Sequence, residues 1–492
     1  MAEFANACDV NKVFALTGGR EVVSAERATE LIAAANIEDY SSVEVIRLSN
    51  KSITEEAAEI FAVVLAKCVN VTVVDISDCI AGRPEEEALR SLSSICGSLG
   101  AFADNLIEVN VSDNALGVKG VNACRPVLVG KNMQRVYFCN NGMSAEAAGL
   151  IGELIAESKP PLTLMHFFNN MSGNGGGFAL GKLISSCGGT LTDVRFSATR
   201  CMAEGCTAIL EALDAIQTLV SLDISDNNFG SISKTNPNGA LLARCVGKHL
   251  SCLRSLNLRD CGLGQNAVHE IVARLTDQIT SGTADSALRV LDLSGNELSP
   301  RFCTSTCALM LPLAGGLEQL NLEDNDELVT VEDEEDKDEE EDAGDEKTKG
   351  PSGSVRNALA LAALVSRCGA LTSMSLLNCE LNTACAFAVL SSVRNTAGKC
   401  VCVKLDGNCF SEAGVELLEG AVADMPEGAV ELNGFDDNND VDEEDDDVDT
   451  VAITAALAAT ALAHVATVDT TAVSTTGDAS ADLVGGMEKL KV

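Results

Sequence analysis

The residues of this chain with chemical potential are mostly scattered. Its 20 cysteines and four histidines include no Cys-x-x-Cys pair, the spacing from which a tetrahedral zinc site is commonly built, so no metal is expected. There is no Gly-x-Ser-x-Gly elbow, no His-Glu-x-x-His helix and no telling Cys/His spacing, so no hydrolytic site of its own is expected. "GGFALGKL", residues 176–183, nearly matches a phosphate loop. It places Leu183 where a hydroxyl must hold magnesium, so nucleotide binding there is not expected either. One short stretch stands apart: "DISDCIAGRPEEEALRSL", residues 75–92, where one arginine, Arg83, is followed by three glutamates. An exposed arginine paired with Glu85, Glu86 or Glu87 is the plain reading; a contact offered to a partner is the functional one.

The elements that position Arg83 come from internal repetition. A template with apolar residues at positions 1, 4 and 6, Asn or Cys at 9 and usually an apolar residue at 11 fits "LIEVNVSDNAL" from Leu106, "LVSLDISDNNF" from Leu219 and "LRVLDLSGNEL" from Leu288. It fits less closely from Val43, Val71, Met133, Leu162 and Leu191. Twelve starts, at 43, 71, 106, 133, 162, 191, 219, 253, 288, 317, 371 and 400, are separated by a base unit of 28–29 residues. That is the long leucine-rich repeat, whose second half is a full helix. Helical patterns between the starts, such as "TEEAAEIFAVVLAKC" and "SAEAAGLIGELIAES", begin with a Ser or Thr placed to cap them. The expected fold is therefore α/β: a leucine-rich repeat solenoid of ribonuclease-inhibitor-like repeats, with a curved parallel sheet inside and helices outside. The position-9 residue should bond the backbone of adjoining turns, which gives ladder cysteines such as Cys261 and Cys379 a structural role.

Breaks in the period mark the exceptions. The interval after Val71 is 35 residues and contains Arg83; the interval after Leu317 is 54 and contains the acidic run 332–346. The predicted organisation is a cap region over 1–40, a repeat domain over 41–430 with an acidic loop insertion at 330–352, an acidic segment at 431–450 and an Ala/Thr-rich tail at 451–492. Arg83 follows strand 71–76, on the rim where strands hand over to helices. Asn140, one place before the ladder residue Asn141, lies on the same rim two repeats on, its side chain expected to be free and outward. At ~4.8 Å per strand the two are roughly 10 Å apart. Asp113, Asn169, Arg200 and Asp226 also precede or follow ladder positions; they are further candidates for partner contact, with ordinary turn chemistry as the alternative.

Composition limits the partner. A net charge of −39, with 12 acids in 332–346 and 10 in 436–449, leaves no basic stripe for nucleic acid and favours a basic protein partner or plain solubility. Such acidic runs are ordinarily solvated. "MAEFANACDV" has no apolar signal core, so reduced thiols in the cytosol or nucleus are expected. "VAITAALAATALAHVATV", 451–468, is uncharged but too weakly apolar to be read as a membrane span.

Against this background "VIRLSNKSITEEAAEIFA", "CIAGRPEEEAL", "VSDNALGVKG", "CNNGMSAEAA", "FFNNMSG" and "SATR" resemble the Ran GTPase-activating protein family, most like its plant-type members, over about residues 40 to 450. In that family the "GRPEEEAL" loop bears an arginine whose loss abolishes activity, which maps onto Arg83, and the family's functional asparagine, which stands before a ladder Asn, maps onto Asn140. The resemblance implies stimulation of GTP hydrolysis on Ran, in support of nucleocytoplasmic transport. The attacking water is oriented by the GTPase's own glutamine; the resemblance implies that the rim asparagine helps to fix that glutamine and that the arginine anchors the interface. It implies no cofactor of the chain's own, since GTP and Mg are bound by the partner GTPase. The implied partners are Ran in its GTP form and a Ran-binding protein, with no nucleic acid and no membrane. A monomer is expected, in the cytoplasm, with perinuclear or nuclear-envelope attachment as the alternative. The acidic insertion is not a feature expected of the family. The rival reading is a non-catalytic cytosolic scaffold or inhibitor that binds a basic protein. A sensor of the nucleotide-binding repeat class is disfavoured because no nucleotide-binding domain precedes the repeats.

Overall fold

The computed structural model describes residues 12–230, 238–282, 286–330, 352–393, 400–435, 438–441 and 448–459. The chain divides into two compact units, Met1–Phe229 and Gly230–Val492. Each is an α/β repeat array built on a parallel sheet.

In the first unit eight strands follow in sequence order: Val13–Ala15, Val45–Arg47, Val73–Asp75, Glu108–Asn110, Arg135–Tyr137, Leu164–Phe168, Asp193–Ser197 and Ser221–Asp223. Successive strands pair in one constant register, Val73 with Glu108, Glu108 with Arg135 and Arg135 with Leu164. Parallel neighbours need a crossover, and a helix returns the chain each time. Template positions 1, 4 and 6 turn toward those helices: Leu106, Val109 and Val111 are buried, as are Leu219, Leu222 and Ile224. Each such side chain contributes about 1.5–3 kcal/mol gross by leaving water. Thr54 and Ser144 cap their helices as the sequence suggests, accepting from Ala57 N and Ala147 N, both at 3.3 Å.

The second unit repeats the plan with Ser255–Asn257, Val290–Asp292, Gln319–Asn321, Ser373–Ser375, Val401–Lys404 and Val430–Leu432. Gln319 pairs directly with Ser373, so the array passes over the long interval without losing register. Residues 331–351, most of the acidic insertion, lie outside the described residues, as do much of the acidic segment and 460–492 of the tail. Among the described residues no helix is long and apolar enough to cross a membrane.

The ladder works as expected. Asn114 donates to the carbonyls of Ile76, Val111 and Ser112 at 2.8, 3.1 and 3.0 Å and accepts from Cys79 N at 3.0 Å. Cys379 Sγ donates to Leu322 O at 3.2 Å. The nineteen described cysteines are free thiols.

In each unit one strand lies beyond the twelve predicted starts. Val13–Ala15 pairs with Val45–Arg47, and Val430–Leu432 with Val401–Lys404. The repeat containing Arg83 is also less disturbed than its sequence suggests. Its ladder position is occupied by buried Cys79. The additional residues lengthen the turn between Cys79 and Glu85 and the helical return, which runs as helix Glu85–Leu99 and then a 3-10 segment, Gly100–Asn105.

Candidate partner-binding rim

Where each strand ends, the residue before the ladder position is held in the left-handed region. Asp78, Asp113, Asn140, Asn169 and Asp226 have φ of 47°, 62°, 52°, 52° and 53°. Asn and Asp tolerate this conformation better than other side-chain-bearing residues. Since the register is constant, these residues form a row, and the row is bonded along part of its length. Asn169 Nδ2 donates to Asn140 Oδ1 at 2.9 Å, and Asn140 Nδ2 donates to Asp113 Oδ1 at 2.8 Å. Asn140 is exposed, as the sequence predicts, but its side chain is not free. A carboxylate can only accept, so Asp113 fixes the orientation of the Asn140 amide. One amide N–H and one oxygen lone pair remain for another molecule.

Arg83 lies in the lengthened turn, after Gly82 at φ +77°. Its backbone N–H donates to Ile80 O at 3.1 Å. The side chain is 19% exposed and pairs with Glu87 at 3.5 Å, which selects one of the three glutamates. The pairing is that of the plain reading, but the exposure is corrected: Arg83 lies half-buried along its own helix. Its Nε is buried and meets no hydrogen-bond partner. Arg83 lines a cleft of about 760 Å³ with Ile80, Glu85, Asp113, Ala115 and Lys119. The cleft brings Arg83 and Asp113 to one place, and hydrogen bonds join Asp113 to Asn140 and Asn169. Arg200 and Asp226 are exposed on the same rim but outside this bonded row.

The sheet face opposite the core is occupied by its own pairs: Arg135 with Glu108 at 2.7 Å, His166 with Asp193 at 3.0 Å and Arg195 with Asp223 at 2.9 Å. Arg195 also lies 3.7 Å over the Phe168 ring. Burial, helped by the Glu108 charge, pushes the Tyr137 hydroxyl up to about 12, so it stays protonated at neutral pH.

The near-phosphate-loop is a helix interior. Helix Gly173–Cys187 contains the glycines of "GGFALGKL". A Cβ at Gly177 would stand 2.6 Å from Gly205 O, and one at Gly181 would stand 2.7 Å from Ala208 O. These glycines let two helices approach closely. Among the described residues no group of His, Cys, Asp and Glu is placed to hold a metal.

Ser52 is a positioning residue that the repeat pattern conceals. Its hydroxyl donates to Ala81 O at 2.7 Å, inside the Arg83 turn, from a repeat 29 residues earlier.

No family model matches the chain. It is 38% identical over 117 residues to RAN GTPase-activating protein 1 of Arabidopsis thaliana, covering 23% of this chain and 21% of that protein. It is 38% identical over 107 residues to RAN GTPase-activating protein 2 of the same plant, covering 22% and 19%. With Ran GTPase-activating protein 1 of Xenopus laevis it shares 28% over 207 residues, covering 42% and 32%. A solved structure of the Rad7 and Elc1 complex in yeast covers 84% of this chain and 88% of that one at TM-score 0.44 and 13% identity, too loose a likeness to bear on function. The match thus spans about a fifth of each plant relative and a third of the frog one. Over those stretches the chain is similar to Ran GTPase-activating proteins, and the matches support that family.

Proposed function

We propose that this chain stimulates GTP hydrolysis on Ran, and that its rim does so by holding the partner's own catalytic machinery. The observation that carries this reading is the Asn140 amide, fixed between Asp113 and Asn169 with one donor and one acceptor to spare. Hydrolysis by a small GTPase needs its glutamine to orient the attacking water. A glutamine side chain is itself an amide, and the spare N–H and lone pair of Asn140 complement it. Holding that glutamine removes rotational freedom before the reaction, which lowers the barrier. Arg83, in the neighbouring cleft, anchors the interface. Its pairing with Glu87 supports an anchoring role over entry into the partner's active site, since the guanidinium is held along its own helix. GTP and Mg belong to the partner, Ran in its GTP form, and the chain acts in the cytoplasm in support of nucleocytoplasmic transport.

The test is GTP hydrolysis on Ran with the chain present at a hundredth of the Ran concentration. Many turnovers per molecule are expected, and Arg83→Ala loses the stimulation while melting as the unaltered protein does. A scaffold or inhibitor would give no turnover. Full stimulation by Arg83→Ala would remove Arg83 from the interface.

A further inference from the structure

A second arginine stands beside the Arg83 turn. Arg20 lies in the loop between strands Val13–Ala15 and Val22–Val23. Its Nη2 is ion-paired with Asp78, the rim residue of the Arg83 repeat, and its side chain is 55% exposed.

That loop is fastened by an uncommon device. Lys51 stands at the ladder position of its repeat and is fully buried. Its ammonium donates to Gly19 O at 2.6 Å and Thr17 O at 2.9 Å, with Gly18 O and Glu21 Oε1 both at 3.3 Å. An ammonium is tolerated in the interior only when its protons are met in this way, and removal of any acceptor is costly. Glu21 is held again by Arg27, at 2.9 Å to Nε and 3.3 Å to Nη2. The backbone on both sides of Arg20 is thereby fixed.

The next residue joins the two arginine loops. Ser52 N donates to Glu21 O at 2.9 Å, and Ser52 Oγ donates to Ala81 O at 2.7 Å. Lys51 N also donates to Asp78 O at 3.0 Å. Lys51 and Ser52 thus bind the Arg20 loop on one side and the Asp78–Arg83 turn on the other.

We propose that Arg20 is a second partner-binding arginine, acting beside Arg83 on a carboxylate-bearing surface of the partner, and that Lys51 is its positioning residue. Asp78 engages one terminal nitrogen of Arg20. The remaining N–H groups of the planar guanidinium suit a second carboxylate in bidentate fashion. Arg83 is half-buried against Glu87, whereas the guanidinium of Arg20 stays 55% exposed while paired with Asp78, so in a chain of net charge −39 Arg20 is the group of this turn most open to a partner's carboxylate. The fastening by Lys51 means that little loop ordering is left to be lost on binding.

This rests on the proposed stimulation of Ran, and the experiment separates the two. Steady-state hydrolysis is measured against the concentration of GTP-loaded Ran for the unaltered chain, Arg20→Ala, Lys51→Met and the double variant, at two salt concentrations. Arg20→Ala is expected to raise KM about tenfold, with kcat moving less than about twofold and a shallower salt dependence, as for a charge at an interface rim. Lys51→Met is expected to raise KM similarly, and the double variant no further, since Lys51 acts through Arg20. An unchanged KM and salt dependence for Arg20→Ala overturns the proposal for Arg20. A further KM rise on adding Lys51→Met to Arg20→Ala overturns the positioning role. Absence of stimulation by the unaltered chain refutes the activity, and this proposal with it.

Discussion

Replacing Asn140 by Ala and by Gly separates what its backbone does from what its side chain does. The backbone is left-handed at φ 52°, which costs an alanine about 1–2 kcal/mol and a glycine nothing. The side chain makes two hydrogen bonds, to Asp113 and Asn169. Both are exposed, so each contributes about 0.5 kcal/mol, the low end of the range. Asn140→Ala should therefore lower stability by about 2–3 kcal/mol and Asn140→Gly by about 1 kcal/mol. Urea denaturation followed by circular dichroism measures the difference. Hydrolysis on Ran should respond otherwise. Both variants lack the amide, so both should lose stimulation to the same extent, about 100-fold, the scale of a deleted transition-state hydrogen bond. Stability and activity then rank the variants differently. Equal stabilities would refute the strain at this turn. Stimulation retained by Asn140→Gly would refute the amide as the group that holds the partner.

Two further outcomes follow from the packing. Gly177→Ala drives a Cβ to 2.6 Å from Gly205 O, so the helices must part; a loss of about 1–3 kcal/mol is expected. Gly149→Ala, in helix Ala145–Ser158 with nothing within 4 Å, should instead stabilise by about 0.5–1 kcal/mol. Thermal melts of the two variants check the opposite signs. Burial pushes the Cys368 and Cys379 thiols up to about 12 and that of Cys68 to about 11. Their thiolate fraction, and so their alkylation, is negligible below those values and grows only as pH rises through them. Iodoacetamide at pH 8 followed by peptide mass spectrometry should label exposed Cys400 first and these three only after denaturation.

Much of the array was legible because it repeats. Apolar positions 1, 4 and 6 and the ladder residue recur often enough to be read without contacts, and in the structure all of them but exposed Cys400 are buried as their spacing implies. The edges were harder. Val13–Ala15 lies in a segment that shares only Phe14 and Leu16 with the template, so periodicity alone did not announce it. The stretch 176–183 resembled a phosphate loop because a close helix–helix contact, here at Gly177 and Gly181, and a phosphate cradle both require a missing Cβ. The rim was half legible. Its residues could be named by position relative to the ladder, but not their bonds.

The sequence by itself determined the repeat, the parallel order of strands and helices, and which residues reach the rim, since all follow from local periodicity and the geometry of one unit. Tertiary structure decided what those residues touch. Arg83 turns back to Glu87, Asn140 is held between Asp113 and Asn169, and Lys51 is buried among the carbonyls of Thr17, Gly18 and Gly19. Most of these bonds join residues about one repeat apart, 27 for Asn140 with Asp113 and 29 for Asn169 with Asn140. Only the stacking register brings such residues within hydrogen-bond distance. Stacking depends on the packing of every buried side chain between neighbouring units, which no single repeat contains.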